Sequence, residues 1–167
     1  LDVSDYAQLA ALSAQLRDRP IDILLSNAGI YGPRGAAFGE IDPAAWREVL
    51  EVNSIAPLML AQAFVEQLAA SRQKLIAVIS SKMGSIGDNS SGGSYIYRSS
   101  KTAVNQVVKC LSIDLAGRGI SAISLHPGWV QTDMGGSNAE ISGADSVAGL
   151  KSILQSAGAQ QSGQFIE

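Results

Sequence analysis

Three short apolar runs, each ending in small polar residues, limit the possible folds of this chain more than any other feature of its sequence. They are IDILLSNAG (21–29), KLIAVISS (74–81) and ISAISLHPG (120–128), and a shorter run, GQFIE, follows at 163–167. Runs of this kind are typical of strands buried on both faces of a parallel sheet. Segments with apolar residues at helical spacing separate them, so the sequence predicts an α/β fold with a parallel sheet.

The intervening segments carry recognisable helix starts. Asp5 or Ser4 is available to cap the first helix, and Asp42 followed by Pro43 is a typical N-terminal pair for the second. The helical spacing covers residues 6–16, 43–70, 95–116 and 144–157.

Composition excludes several classes of function. The 167 residues suffice for one domain with a core, and 46% of them are hydrophobic. The net charge is −3 and no basic run is present, so we expect no nucleic-acid partner. The single cysteine, Cys110, excludes an intrachain disulfide and fits a reducing cytoplasm, and its place in a predicted helix suggests a buried small residue. No uninterrupted apolar stretch long enough for a membrane and no signal peptide are visible.

The stretch SYIYRSSK (94–101) places a tyrosine and a lysine at the spacing of an acid–base pair. Tyr97 and Lys101 are four residues apart and therefore share one helix face, whereas Tyr95 is expected to pack or to line an entrance. A free phenol has a pKa of about 10, and a neighbouring ammonium lowers it by roughly one to three units. Tyr97 could then exchange a proton with a carbonyl oxygen. A tyrosine and a lysine on an exposed helix surface would have the same spacing.

Two further features support such a site. Ser80 and Ser81 end a predicted strand and alternate across it, so only one hydroxyl should face the site and stabilise developing charge. Pro57 lies inside a predicted helix and leaves the carbonyl of Asn53 without its helical donor, which predicts a kink. If Asn53 lies beside Lys101, a water there could relay protons to solvent. The alternative is a bend that only lets the helix follow the core.

Ligands of open parallel sheets bind at the carboxyl ends of the strands. In this chain those ends carry SNAG, ISS and HPGWVQTD, which are small and polar as a site requires, although ordinary turns have the same chemistry. A lone histidine, His126, has no Asp or Cys partner at ligand spacing, so we expect no metal site.

Taken together, these motifs resemble the short-chain dehydrogenase/reductase family. They occur in the family's order over essentially the whole chain, and they are NAG (27–29), Asn53, ISS (79–81), Tyr97-x-x-x-Lys101 and HPGWVQTDM (126–134). Within the family the chain is most similar to the C-factor and sniffer-type carbonyl reductases. The resemblance implies a Rossmann-like, doubly wound parallel sheet in three layers. It also implies a single NAD(P)-binding domain over residues 1–167 whose amino-terminal strands are absent from the chain.

The resemblance implies a role for each matching residue. Tyr97 would be the acid–base residue, Lys101 would lower its pKa and hold the nicotinamide ribose, and Ser81 would orient the carbonyl. Asn53 would maintain the kink and the relay. The cofactor, NADP or NAD, would contact Tyr97, Lys101 and a further set of residues, which are Asp2, Val3, Asn27, Ala28, Gly29, Pro127, Gly128 and Thr132.

The implied activity is hydride transfer between NAD(P)H and a small-molecule carbonyl or alcohol. Members of the family often pair the helices that hold Asn53 and Tyr97, so a homodimer or homotetramer is plausible. The alternative is a non-catalytic nucleotide-binding or signalling protein with the same fold. Between Thr132 and the next helix lies only DMGGSNAEISG (133–143), and so short a segment implies an open site that accepts varied aldehydes and ketones.

One family motif is missing, the glycine-rich first turn that holds the pyrophosphate at a helix N-terminus. We therefore expect the chain to be part of a longer protein. Taken alone, it would bind a dinucleotide poorly, and IDILLSN would form an exposed apolar edge.

Overall fold

Four parallel strands form one sheet in the computed structural model, which describes residues 1–167. In chain order they are β1 (Ile23–Ser26), β2 (Leu75–Ile79), β3 (Ser121–Leu125) and β4 (Phe165–Ile166), and they lie side by side in that same order. Ile23 pairs with Leu75, and Leu75 pairs with Ser121, so the carboxyl ends of the three longer strands align at one edge. The predicted parallel α/β class is confirmed.

Five α-helices connect or flank the strands. Asp5 caps the first helix by accepting hydrogen bonds from the backbone N–H groups of Ala7 and Gln8, and Asp42 caps the second by accepting from Ala44. Of the two caps predicted for the first helix, Asp5 is therefore the one used. The helices are α1 (Tyr6–Gln15), α2 (Pro43–Leu50), α3 (Ala56–Ala69), α4 (Tyr95–Asp114) and α5 (Gly143–Ser156).

Helices cover both faces of the sheet. Ile76 and Val78 of β2 belong to a buried cluster with α3 and α4, whereas Leu75 and Ala77 belong to a second cluster with α5. Alternate residues of a strand point to opposite faces, so the two clusters lie on opposite sides of the sheet. The expected three-layer, doubly wound arrangement is confirmed.

β1 forms one edge of the sheet. It pairs only with β2, and its Leu25 side chain is 43% exposed. This agrees with the expectation that IDILLSN presents an apolar edge, and the free backbone groups of such an edge can pair with another strand.

A π-helical turn, Glu51–Ile55, joins α2 to α3 immediately before Pro57. The backbone N–H of Ala56 bonds to the carbonyl of Glu51, five residues back. Proline has no N–H to continue the α-helical ladder, and isolated π-helical turns are frequent at functional sites. Where Pro57 predicts a kink, the structure has one wider turn, and that turn contains Asn53.

The continuous helical segment Pro43–Ala69 meets the length and composition of a membrane span. The sequence alone led us to expect no such segment. Its most apolar 18-residue window has a mean hydropathy of 1.2, and 44% of that window is buried. Since the segment packs against the sheet and against α1, these properties are those of a core helix as much as of a span.

Candidate active site

The π-helical turn, the end of β2 and the first turns of α4 bring the four predicted catalytic side chains together. Asn53 is 1% exposed, Lys101 is 4% exposed, and Ser81 and Tyr97 are each 8% exposed. All four are polar groups held in the interior, where each requires hydrogen-bond partners.

Asn53 connects three parts of the chain. Its Oδ1 accepts a hydrogen bond from the backbone N–H of Ile30 at 2.9 Å, and its Nδ2 donates to the Ile30 carbonyl at 2.8 Å. Nδ2 also donates to Oγ of Ser100 on α4 at 3.0 Å. The π-helical turn is thereby fixed to the loop after β1 and to the helix that carries Tyr97 and Lys101.

Lys101 lies beside Asn53, as the relay hypothesis requires. Its Nζ donates to the carbonyl of Ile79 at 2.9 Å. A β-carbon built on Gly29 would lie 3.3 Å from Oδ1 of Asn53 and 3.5 Å from Nζ of Lys101, so glycine leaves space between these two groups. Burial lowers the pKa of Lys101 to about 8, and no carboxylate neutralises its charge.

Gly84 permits the close approach of the loop after β2 to α4. A β-carbon there would lie 2.7 Å from the backbone carbon of Lys101 and 2.9 Å from its Cβ. Such distances do not occur between a real β-carbon and a backbone atom. Any other residue at position 84 would therefore push the loop that carries Ser81 away from Lys101.

Tyr97 lies near Ser81, and the Lys101 ammonium is bound elsewhere. Burial raises the pKa of Tyr97 above its usual value, and the nearby Ser81 side chain opposes that effect. The ammonium of Lys101 lies 5.7 Å from the centre of the Tyr97 ring and is bound to Ile79. The prediction that Lys101 lowers the pKa of Tyr97 is therefore wrong for this arrangement, because burial outweighs every opposing interaction. The shared helix face of Tyr97 and Lys101 is present.

The two serines after β2 diverge. The hydroxyl of Ser80 donates to Oδ1 of Asn105 at 2.7 Å, which ties the strand end to α4. Ser81 faces Tyr97 and also accepts a hydrogen bond from the backbone N–H of Met83 at 3.1 Å. Only one serine reaches the site, and it is Ser81.

Most of the residues assigned to the cofactor lie at the carboxyl edge of the sheet, and Asp2 and Val3 lie apart from them. Asn27, Ala28 and Gly29 follow β1, and Pro127 and Gly128 follow β3 at the same sheet edge. Gly128 has φ +85°, a left-handed conformation that other residues rarely adopt, so this position favours glycine. Thr132 is exposed, and its Oγ1 accepts a hydrogen bond from the backbone N–H of Gly135.

Asp2 and Val3 are not connected to this group. The hydrogen bonds of Asp2 run only to Ser4, Asp5 and Gln8, and those with Ser4 lower the pKa of its carboxyl.

A cavity of about 200 Å³ opens beside Tyr97. Tyr95 lines it, as expected of a residue near the entrance. Sequence reasoning missed two groups that line this cavity, Tyr31 and Ser94, and also Arg34, whose guanidinium lies over the Tyr31 ring. The available signal was Tyr31 itself, a rare aromatic residue two positions after the NAG motif.

One other sequence expectation, for Cys110, has a clear outcome, and the surroundings of His126 can be described. Cys110 is exposed, so the prediction of a buried cysteine is wrong, because position 110 falls on the outer face of α4. His126 stacks near Phe165, with ring centroids 6.4 Å apart, and burial lowers the pKa of its imidazole. No group of three His, Cys, Asp or Glu side chains is arranged as metal ligands.

Comparisons with known proteins agree with this fold. A family model described as short chain dehydrogenase matches residues 1–142. The chain is 36% identical over 159 residues to the protein named C-signal of Myxococcus xanthus, and the match covers 95% of each chain.

Solved structures give the same result. The carbonyl reductase Sniffer of D. melanogaster superposes with a TM-score of 0.92 at 33% identity, over 99% of this chain and 72% of that one. A carbonyl reductase from chicken fatty liver, bound to NADPH, superposes with a TM-score of 0.90 at 35% identity, over 99% of this chain and 71% of that one. This chain belongs to the short-chain dehydrogenase family, and within it to the sniffer and C-signal type.

Proposed function

We propose that this protein is an oxidoreductase that transfers a hydride between NAD(P)H and a small-molecule carbonyl or alcohol. One observation carries the proposal: a buried phenol, Tyr97, lies near Ser81 and one helical turn from a buried lysine that no carboxylate neutralises. In this proposal residues 1–167 act as one nucleotide-binding domain, and the protein works in the cytoplasm.

The residues present fit the nicotinamide end of such a cofactor. Lys101 carries three donor hydrogens but has one acceptor, the Ile79 carbonyl, so it retains donors for ribose hydroxyls. Gly29 leaves the space beside it that a side chain would fill. Tyr97 and Lys101 would hold the ribose, while residues 27–29, Pro127, Gly128 and Thr132 would border the nicotinamide, with Asp2 and Val3 toward the adenine. The bound cofactor supplies the hydride, and the protein supplies position and electrostatics.

Tyr97 acts as the acid in the direction of carbonyl reduction. Its raised pKa keeps the phenol protonated at neutral pH, so the proton is available when the substrate oxygen becomes an alkoxide, which is far more basic. Ser81 donates a second hydrogen bond to that oxygen and stabilises its developing charge. Lys101, whose pKa of about 8 leaves it mostly cationic at neutral pH, keeps donor hydrogens for the ribose beside the phenol.

Asn53 supports this proton transfer by fixing the backbone next to Lys101. It holds the π-helical turn against Ile30 and Ser100, and the space at Gly29 separates it from the Lys101 ammonium. A water bound in that region would return a proton to Lys101 and Tyr97 after each turnover, as the relay hypothesis requires.

We favour NADP over NAD as the cofactor. The support is the NADPH-bound relative described above and a second solved relative, from Burkholderia multivorans, with bound NADP at 32% identity. For the substrate, the short segment after Thr132 and the open cavity beside Tyr97 support a site that accepts varied aldehydes and ketones. A homodimer or homotetramer stays part of the proposal.

The test follows NADPH absorbance while the purified protein acts on a panel from small aldehydes to bulky aromatic ketones. We expect NADPH oxidation with several members of the panel. Strict preference for one small substrate would contradict the open site, and no oxidation with any member would contradict the reductase.

A second candidate is a signalling or interaction protein that keeps the fold without turnover. The observation that favours it is the match to C-signal across 95% of both chains. Saturable NADPH binding without oxidation of NADPH by any carbonyl would support this candidate over the first.

A further inference from the structure

Tyr31 lies directly against the ring of Tyr97. The two ring centroids are 4.4 Å apart, and the planes differ by 19°, which is a stacked arrangement. Stacked aromatic pairs add stabilisation beyond the area they bury and fix the orientation of both rings. Tyr31 comes from the loop after β1, whereas Tyr97 belongs to α4, so the contact joins two separate parts of the site.

Ser94 holds the other end of Tyr31. The hydroxyls of Tyr31 and Ser94 share a hydrogen bond of 3.0 Å. Ser94 precedes the first residue of α4, where serine usually caps the helix, yet its side chain makes no cap hydrogen bond. Its backbone has φ +46° and ψ +39°, a left-handed conformation that is costly for a residue with a side chain. At Ser94 the helix therefore lacks a side-chain cap and the backbone is strained, while the hydroxyl bonds to Tyr31 instead.

Arg34, an exposed residue, contacts the Tyr31 ring from the solvent side. Its guanidinium carbon lies 4.8 Å from the centre of the Tyr31 ring, within range of a cation–π interaction. One of its nitrogens, Nη2, donates to the carbonyl of Met134 at 2.6 Å. Arg34 therefore connects the Tyr31 ring to the segment that follows β3.

We propose that Tyr31 is a positioning residue for the reaction, held by Ser94 and Arg34 so that its ring fixes the phenol of Tyr97 beside Ser81. We call Tyr31, Arg34 and Ser94 the Tyr31 brace. The inference rests on the proposed reductase function, because its kinetic consequence is the placement of the proton donor. Small displacements of a reacting group cost large factors in rate, so a loose phenol transfers its proton slowly.

The Tyr31 brace also affects the acidity of Tyr97. The ionisable groups that face Tyr97 are Lys101 on its own helix, Tyr31 from the loop after β1 and, beyond Tyr31, Arg34. Burial and the neighbouring Tyr31 both raise the pKa of Tyr97. Removing the Tyr31 ring exposes the phenol to water and favours the phenolate, so the pKa of Tyr97 should fall.

The experiment compares Tyr31→Leu with Tyr31→Phe, which keeps a ring that can stack. Phe38→Leu, at an 88% exposed aromatic residue of the same loop that does not contact Tyr97, is the matched control. We expect Tyr31→Leu to lower kcat by about tenfold or more, a larger factor than its change in KM. Tyr31→Phe should recover most of the loss, and Phe38→Leu should match wild type.

A titration without substrate gives an independent measurement. The ultraviolet difference between the protein and its Tyr97→Phe variant reports ionisation of Tyr97 alone, and the same difference in the Tyr31→Leu background should appear at lower pH. A purely structural role for Tyr31 would lower stability without moving this titration. Unchanged kcat together with an unchanged Tyr97 titration in Tyr31→Leu would overturn the proposal.

Two further outcomes are decisive. If Tyr31→Leu does not fold, Arg34→Ala replaces it, since Arg34 is exposed, and kcat should fall by about two- to fivefold. Wild-type kcat and titration in Arg34→Ala would overturn the brace. If wild-type protein reduces no carbonyl, the proposed function fails, while the titration still tests whether Tyr31 sets the acidity of Tyr97.

Discussion

The inner and outer halves of the candidate site are built differently. In the inner half, Asn53 and Lys101 are at most 4% exposed and are held by hydrogen bonds to the loop after β1 and to β2. In the outer half, Trp129 is 49% exposed, and its side chain bonds only to the Gly135 carbonyl of its own segment. Packing therefore holds the proposed acid–base residues of the inner half in place, whereas the side chains of the outer half are less constrained.

Few hydrogen bonds connect the inner and outer halves of the site. The segment after β3 bonds mainly to itself, through Gln131 to Ile141 and Thr132 to Gly135. The Arg34 hydrogen bond to Met134 is one of few ties to the inner half. Substitutions in the inner half should therefore change stability and rate together, and those in the outer half should act on substrate binding.

Asn53→Ala should give the largest loss of stability. It removes three hydrogen bonds and leaves the backbone N–H and carbonyl of Ile30 without these partners in the interior, whereas the Ser100 hydroxyl keeps its bond to the Tyr97 carbonyl. We expect the free energy of unfolding to fall by roughly 2–4 kcal/mol in urea denaturation. Asn138→Ala, at an exposed asparagine, is the control and should stay within about 0.5 kcal/mol of wild type. Equal losses of stability in the two variants would contradict the difference between the inner and outer halves of the site.

Gly84→Ala should be next in size. The new β-carbon would meet the backbone of Lys101 at 2.7 Å, whereas Gly87→Ala, three residues on, meets nothing within 4 Å. We expect Gly84→Ala to lower the free energy of unfolding by about 1–3 kcal/mol and Gly87→Ala to leave it nearly unchanged. Calorimetry of the two variants checks this, and a stable Gly84→Ala protein would show that the loop and α4 are not closely packed.

The pH dependence of stability should reveal the buried lysine. Burial lowers the pKa of Lys101 from 10.5 in the unfolded chain to about 8. Above about pH 8 the unfolded chain binds more protons than the folded one, so this group makes stability rise with pH. The gain should be about 1 kcal/mol between about pH 7 and about pH 9. The raised pKa of Tyr97 acts only above its usual value of 10, outside that window.

Lys101→Met should abolish this pH dependence of stability. The variant should lack the rise in unfolding free energy that wild type shows over this window, whereas Lys151→Met, at an exposed lysine, should keep it. Urea denaturation at both pH values measures the difference. A rise that persists in Lys101→Met would assign it to another group.

Trp129→Ala should have the smallest effect on stability. It removes an exposed ring and one hydrogen bond to the Gly135 carbonyl, so the loss should be about 0.5–1.5 kcal/mol. Because Trp129 belongs to the outer half, KM for the carbonyl should rise while kcat changes little. Steady-state kinetics separates the two parameters, and a fall in kcat alone would place Trp129 with the inner half.

Much of the fold follows from local sequence, but the detail of the site does not. Apolar runs predict the strands, Asp42 and Pro43 predict a helix start, and Pro57 predicts an interruption, because these signals act within a few residues. The stack of Tyr31 on Tyr97 depends on a loop 66 positions away (97 − 31), so no local pattern reports it. The raised pKa of Tyr97 likewise depends on burial by the whole fold.

The prediction for Cys110 shows the same limit at one residue. Cysteine is most often buried, and that preference alone predicted a buried Cys110, but position 110 lies on the outer face of α4 and faces water.

The most direct test of the account compares Tyr97→Phe with wild type in kcat and in NADPH binding. The substitution removes the proton donor but leaves the ring, its stack with Tyr31 and the lysine one turn away. We predict that kcat for carbonyl reduction falls by about 10²–10⁴-fold. NADPH binding and the circular dichroism spectrum should stay those of wild type. Turnover at the wild-type rate in Tyr97→Phe would contradict the proposal that this phenol is the acid.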